Sequence, residues 1–216
     1  MSSPKETVLN KKLLEKTKGI VTKVAETLIS DPEIQYLQEY ANTVAIKRLG
    51  YNDHGPVHMR TVALNALTMA DILHESGIAL SIEQDEAGTF EDSRIALLLA
   101  AFLHDVGMTV GRADHEHTST IIAFPIIDRI LQGIYGENIE KRIIVRSTAL
   151  ECIVGHMATQ KIHSLEAGLI LIADGCDMEK GRARIPMMLN TESRVGDIHK
   201  YSASAIESVS FDRGER

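Results

Sequence analysis

The chain has 216 residues and a formal net charge of -7, with 44% hydrophobic residues, 4% aromatic residues and no tryptophan. That length suits one domain, or one domain with an appendage, and it can bury a core without staples. The acidic balance, with no lysine or arginine stripe, argues against a groove for polymeric nucleic acid, and the scarcity of aromatics argues against a base-stacking platform. A small phosphorylated ligand stays compatible, because a bound divalent metal inverts the local field. Two cysteines, Cys152 and Cys176, are too few for a disulfide scaffold and read as reduced thiols. The N-terminal MSSPKETVLNKK lacks the apolar centre of a signal peptide, and no apolar run approaches membrane-spanning length. The expectation is a cytoplasmic protein with no membrane partner.

The chain reads as helix after helix. Val8 to Ser30 is amphipathic, with Leu13, Leu14, Ile20, Val21, Val24 and Leu28 near helical spacing. Asp31 can cap a second helix, Glu33 to Leu49, with Pro32 in its first turn. Pro56 suits the first turn of a third, which runs to about Glu75. The acidic stretch GIALSIEQDEAGTFEDS reads as a loop with a short turn. Ser93 to Val106 is a largely apolar central helix. Asp114 can cap a helix starting near His115, and Pro125 is expected to kink or split it. Ile139 to Thr159 and Leu165 to Lys180 complete the helical set. Beyond Pro186 the pattern fades, with partial alternation around Ile206, Val209 and Phe211 that fits a strand or a tail. The fold class is therefore all-α. Residues 1–50 form N-terminal helices on the core, 51–186 the central domain and 187–216 a C-terminal extension.

Polar side chains intrude on these helices at particular places. His58 sits in the first turn of the third helix. His104 and Asp105 end the central one, in AAFLHDVGM. His115 and His117 lie at the start of the next. His156 follows CIVG, and Asp174 follows LILIA. Burying an unpaired carboxylate in such apolar runs costs several kcal/mol (roughly) unless a partner or ion compensates it. Imidazole and carboxylate are ligands for borderline and hard divalent metals. Adjacent helical residues point about 100° apart, so His104 and Asp105 can share one ion only beside a helix end, which Gly107 marks. A lone Asp177 reads as a solvated surface carboxylate.

The ordered set His58, His104-Asp105, Asp174 resembles the HD-domain superfamily of metal-dependent phosphohydrolases. HMRTV (His58 to Val62) is similar to that family's first motif, LLAAFLHDVGM to its second and LILIADGCD to its last. The resemblance spans about Tyr51 to Arg184. It implies an all-α helical bundle in which His58, His104, Asp105 and Asp174 hold one divalent ion (Mn, Mg, Co, Ni, Fe or Zn). It places His115 or His117, together with His156, where some members bind a second ion. Positions two apart on a helix diverge by about 200°, so one of His115 and His117 should face the site, with His115 preferred for its spacing to Ser119. Members with two ions often carry a His-His doublet where this chain has His156-Met157, which leaves one ion or two open.

The resemblance implies hydrolysis of a phosphate ester of a nucleotide or another small phosphorylated metabolite. Asp105 would ligate the ion and take a proton from water. His54, four residues before His58, is a candidate proton donor. Cations expected to hold the phosphate are Arg60, Lys161, Lys180, Arg182 and Arg184, the last three in DMEKGRARIP. The rival readings are a non-catalytic module that binds metal or nucleotide, and a diiron oxygenase of the same superfamily. The apolar first helix offers a surface for a homodimer, though no feature forces one.

Overall fold

In the computed structural model, residues 3–179 and 205–214 are described. Among them every regular element is helical, so the all-α class holds. The first expected helix is two. α1 (Pro4–Lys16) and α2 (Gly19–Ser30) are separated by Thr17 and Lys18 in extended conformation. Gly19 follows at φ +58°, a left-handed value that glycine adopts without steric cost. The break lets Leu13 and Val21 both reach the core from helices of different direction. Leu9 and Leu13 of α1 are thereby buried in their own chain, while Val8 stays exposed.

α3 (Pro32–Thr43) begins as expected, with the Asp31 carboxylate accepting from the backbone N–H groups of Glu33 and Ile34. It continues into a π-type turn, Val44–Leu49. α4 (Pro56–Glu75) matches its expected span. The short α5 (Ser81–Gln84) occupies the acidic loop. α6 (Phe90–Leu103) is the central helix, with every residue from Ile95 to Leu103 fully buried. It ends before Val106, which opens a 3-10 turn, Val106–Thr109.

α7 (His115–Tyr135) runs through Pro125 as one element, so the expected alternative of two separate helices does not occur. Pro125 lies on the exposed face, where the carbonyl it leaves unpaired can be hydrated instead of stranded in the core. Asp114 occupies the N-cap position but makes no side-chain cap, because its backbone is left-handed at φ +51°. α8 (Ile139–Gly155) and α9 (Leu165–Gly175) are each a few residues shorter than expected.

Two buried charged side chains tie the bundle together. Arg60 is 1% exposed. Its guanidinium donates to Asn10 on α1 (2.6 Å), Gln38 on α3 (3.0 Å) and the Pro56 carbonyl (3.0 Å). It also lies 5.2 Å from the Phe102 ring centroid. Arg60 was expected to hold phosphate; it is instead a structural tether between four helices. Glu166, fully buried, accepts from the N–H groups of Ser81 and Ile82 and from the Ser93 hydroxyl. It thereby caps α5 and anchors α9 beside α6. At the C-terminal end, residues 206–214 form no strand. They are not a partnerless tail either: Phe211 packs on the core, and the Val209 N–H donates to Glu179.

Candidate metal centre

Helix ends bring the polar intrusions together. His58 enters from the first turn of α4, His104 caps the C-terminus of α6 and Asp105 follows it. His115 opens α7, His156 caps the C-terminus of α8 and Asp174 lies in the last turn of α9. His58, His104, Asp105, His115 and His156 are all at most 2% exposed. Gly107 sets the approach of α7: a Cβ there would meet the His115 carbonyl oxygen at 2.1 Å. Its N–H donates to the Ser119 hydroxyl at 2.8 Å. Only glycine allows that contact, which fixes Asp105 against His115.

The donor atoms fall into two groups joined by one carboxylate. His58 Nε2 lies 3.1 Å from His104 Nε2, 3.3 Å from Asp105 Oδ2 and 3.1 Å from Asp174 Oδ1. The other oxygen of Asp105, Oδ1, lies 3.0 Å from His115 Nε2 and 3.5 Å from His156 Nε2. Those two imidazole nitrogens are 3.2 Å apart. Asp105 therefore offers one oxygen to each group. His115, not His117, faces the site; His117 is 48% exposed on the far side of the same turn.

The tautomers follow from the partners of Nδ1. His104 Nδ1 meets the Ala101 carbonyl at 3.0 Å, His115 Nδ1 that of Arg112 at 3.1 Å and His156 Nδ1 that of Ile153 at 2.6 Å. A carbonyl only accepts, so Nδ1 of His104 and of His156 must carry the proton; His115 Nδ1 instead lies between that carbonyl and the Arg112 Nη1 donor at 2.8 Å. His58 Nδ1 donates to Asp177 Oδ2 at 2.6 Å. The Nε2 atoms of His58, His104 and His156 then present lone pairs inward, toward carboxylate oxygens, and His115 Nε2 points into the same space. Such a convergence repels itself unless protons or a cation stand between. Outward Nδ1–H bonds to carbonyl or carboxylate are the arrangement that orients imidazole toward a metal. The carbonyls at 101 and 153 are available because helix ends leave their last carbonyls unpaired, and the negative end of the helix dipole favours a cation. The donor set of nitrogen and oxygen fits a borderline divalent ion.

The charges respond to this crowding. Burial pushes the Asp105 carboxyl up, but the charges of His104 and His54 and the close approach of the His104 and His115 rings outweigh it and hold it well below the usual range. Burial pushes His156 down, yet its bond to Asp105 and the charges of Asp105 and Asp174 leave it raised. The site thus keeps Asp105 ionised and attracts positive charge.

His54 stands beside the centre, its ring centroid 5.9 Å from that of His58. Its Nδ1 donates to the Asn52 carbonyl at 2.7 Å, which leaves Nε2 as the basic nitrogen. Lys161 is exposed on the loop after α8. Lys180, Arg182 and Arg184 lie outside the described residues. Two contributors escaped the sequence reading. Asp177, expected on a solvated face, is 7% exposed and bonds His58. Arg112, in the loop between Asp105 and His115, places Nη1 2.8 Å from His115 Nδ1. The signal for Asp177 was its closeness in the chain to Asp174, three residues before it; for Arg112 it was a cation between two expected ligands.

Fold and site together define an all-α protein built around a buried cluster of histidines and aspartates. The chain is 39% identical over 202 residues to Uncharacterized protein MJ1020 of Methanocaldococcus jannaschii, an alignment covering 94% of this chain and 76% of that one. It belongs to the same family as that archaeal protein. No family model matches the chain, and no solved structure does.

Proposed function

We propose that this protein is a metal-dependent phosphohydrolase of the HD type, acting on a phosphate ester of a nucleotide or another small phosphorylated metabolite. The observation that carries the reading is the inward convergence of four Nε2 atoms on the two oxygens of Asp105. His58, His104, Asp105 and Asp174 would hold one divalent ion, and Asp105, His115 and His156 a second. Divalent ions held there would lower the pKa of bound water toward neutrality and polarise a phosphoryl oxygen. The chain's own residues do the rest. Asp105 stays ionised and orients both groups. Asp177 fixes the tautomer of His58. His54, as an imidazolium protonated on both ring nitrogens, would hand the Nε2 proton to the departing alkoxide. Helix α6 keeps bulk water from the buried side of the site.

The test is to strip the protein, reload it with Mn²⁺, Co²⁺, Ni²⁺, Mg²⁺, Zn²⁺ or Fe²⁺, and measure phosphate release from p-nitrophenyl phosphate and a nucleotide panel. Release that tracks metal content is expected; stoichiometric metal binding with no release under any metal would make the protein a binding module. A second reading, a diiron oxygenase, had against it the missing His-His doublet. His115 and His156 supply paired nitrogens without a doublet, so oxygen uptake by the Fe²⁺-loaded protein is measured alongside.

A further inference from the structure

Arg112 has an unusual environment for a half-buried cation. Arg94, Arg142 and Arg146, the other half-buried arginines among the described residues, each sit within 4.0 Å of a carboxylate. Among the described residues, Arg112 has none within that distance. Its Nη1 lies 2.8 and 3.0 Å from the two ring nitrogens of His115. One N–H cannot align on both ring nitrogens, and Nδ1 also meets the Arg112 carbonyl at 3.1 Å. The remaining neighbours are soft: Met157 Sδ at 3.7 Å from both Nη atoms and the Tyr51 ring centroid at 5.9 Å. These hold the guanidinium in place without neutralising it.

A divalent ion at His115 Nε2 would face this guanidinium across a few ångströms, and the two would repel. An oxyanion that touches both turns the repulsion into attraction, and a guanidinium fork matches phosphoryl oxygens. We propose that Arg112 is the anion clamp of the site: it binds a non-bridging oxygen of the phosphoryl group and selects monoesters over diesters. The selectivity is a matter of oxygen count. A phosphomonoester has three non-bridging oxygens, so one stays available to Arg112 after two metal contacts, whereas a diester has only two. The substrate selectivity rests on the phosphohydrolase reading; the anion binding does not.

The binding arm uses the metal-loaded full chain and inorganic phosphate, followed by calorimetry. Arg112→Ala should weaken phosphate binding about 10- to 100-fold, as expected for loss of a charge-assisted hydrogen-bond pair. Arg112→Lys should recover part of it, and metal content by elemental analysis should match the parent in both. Unchanged phosphate affinity in Arg112→Ala overturns the clamp, as does loss of metal in that variant, which would make Arg112 a support for His115. The kinetic arm compares p-nitrophenyl phosphate with bis(p-nitrophenyl) phosphate. Arg112→Ala should lower kcat/KM for the monoester at least tenfold more than for the diester; an equal loss overturns the selectivity. A parent protein that binds phosphate through Arg112 but hydrolyses nothing would sink the phosphohydrolase reading and leave the clamp standing.

Discussion

Asp177 and His58, 119 residues apart in the chain, meet through a 2.6 Å hydrogen bond from His58 Nδ1 to Asp177 Oδ2. The bond turns the Nε2 lone pair of a fully buried imidazole toward His104, Asp105 and Asp174. A carboxylate in that position also raises the basicity of the ring as a ligand. Asp177→Asn should therefore weaken metal binding about 10- to 100-fold. A chelator competition titration measures it, and parental affinity in the variant would deny Asp177 this role.

Asp105 is the only described side chain with one oxygen in each donor group. Asp105→Ala should empty the centre of all metal and abolish turnover. It should also raise the melting temperature of the metal-free protein, because it removes a buried negative charge. His58→Ala should empty the group shared with Asp174, whereas His156→Ala should remove at most the second ion. Elemental analysis of the three variants counts the ions. Full metal in Asp105→Ala would contradict the proposed centre.

Arg60 tests the separation of fold from site. Arg60→Ala strips hydrogen bonds from Asn10, Gln38 and the Pro56 carbonyl, some of which stay buried. The cost should be on the order of 2–4 kcal/mol in urea unfolding, from the unsatisfied groups left behind. The folded variant should keep its phosphate affinity. A selective loss of phosphate binding at unchanged stability would restore Arg60 as a substrate contact.

Acid should loosen the bundle through Asp31 and Asp92. Burial raises each carboxyl, but the Arg129 hydrogen bond at Asp31 and the Tyr135 and Lys141 hydrogen bonds at Asp92 leave both below their ordinary 3.8. A depressed folded value means the native state holds the proton less tightly than the unfolded chain. Their stabilisation is complete above about pH 4 and is lost as pH falls through the depressed values. Melting curves between pH 5 and 2 (roughly the window set by these carboxyls) should show Asp92→Asn losing less stability on acidification than the parent. Parallel curves would place the acid sensitivity elsewhere.

Residue order and helical spacing were enough to read the all-α class, the extent of α4, the apolar centre at α6 and the set His58, His104, Asp105 and Asp174. Those signals are local: an apolar period, a proline in a first turn, an ionisable pair breaking a buried run. The choice of His115 over His117 was half legible, from the angle between positions two apart. Tertiary structure alone decided the rest. Arg60 and Arg112 carry the same charge, and the sequence does not say which guanidinium is spent on Asn10 and Gln38 and which is left beside His115. Asp177 looked solvated until α9 was docked on α4, and Asp105 came to offer an oxygen to each donor group only once α7 and α8 closed on its second oxygen. A side chain's partners across more than a hundred residues depend on how helices pack, and no local pattern encodes that.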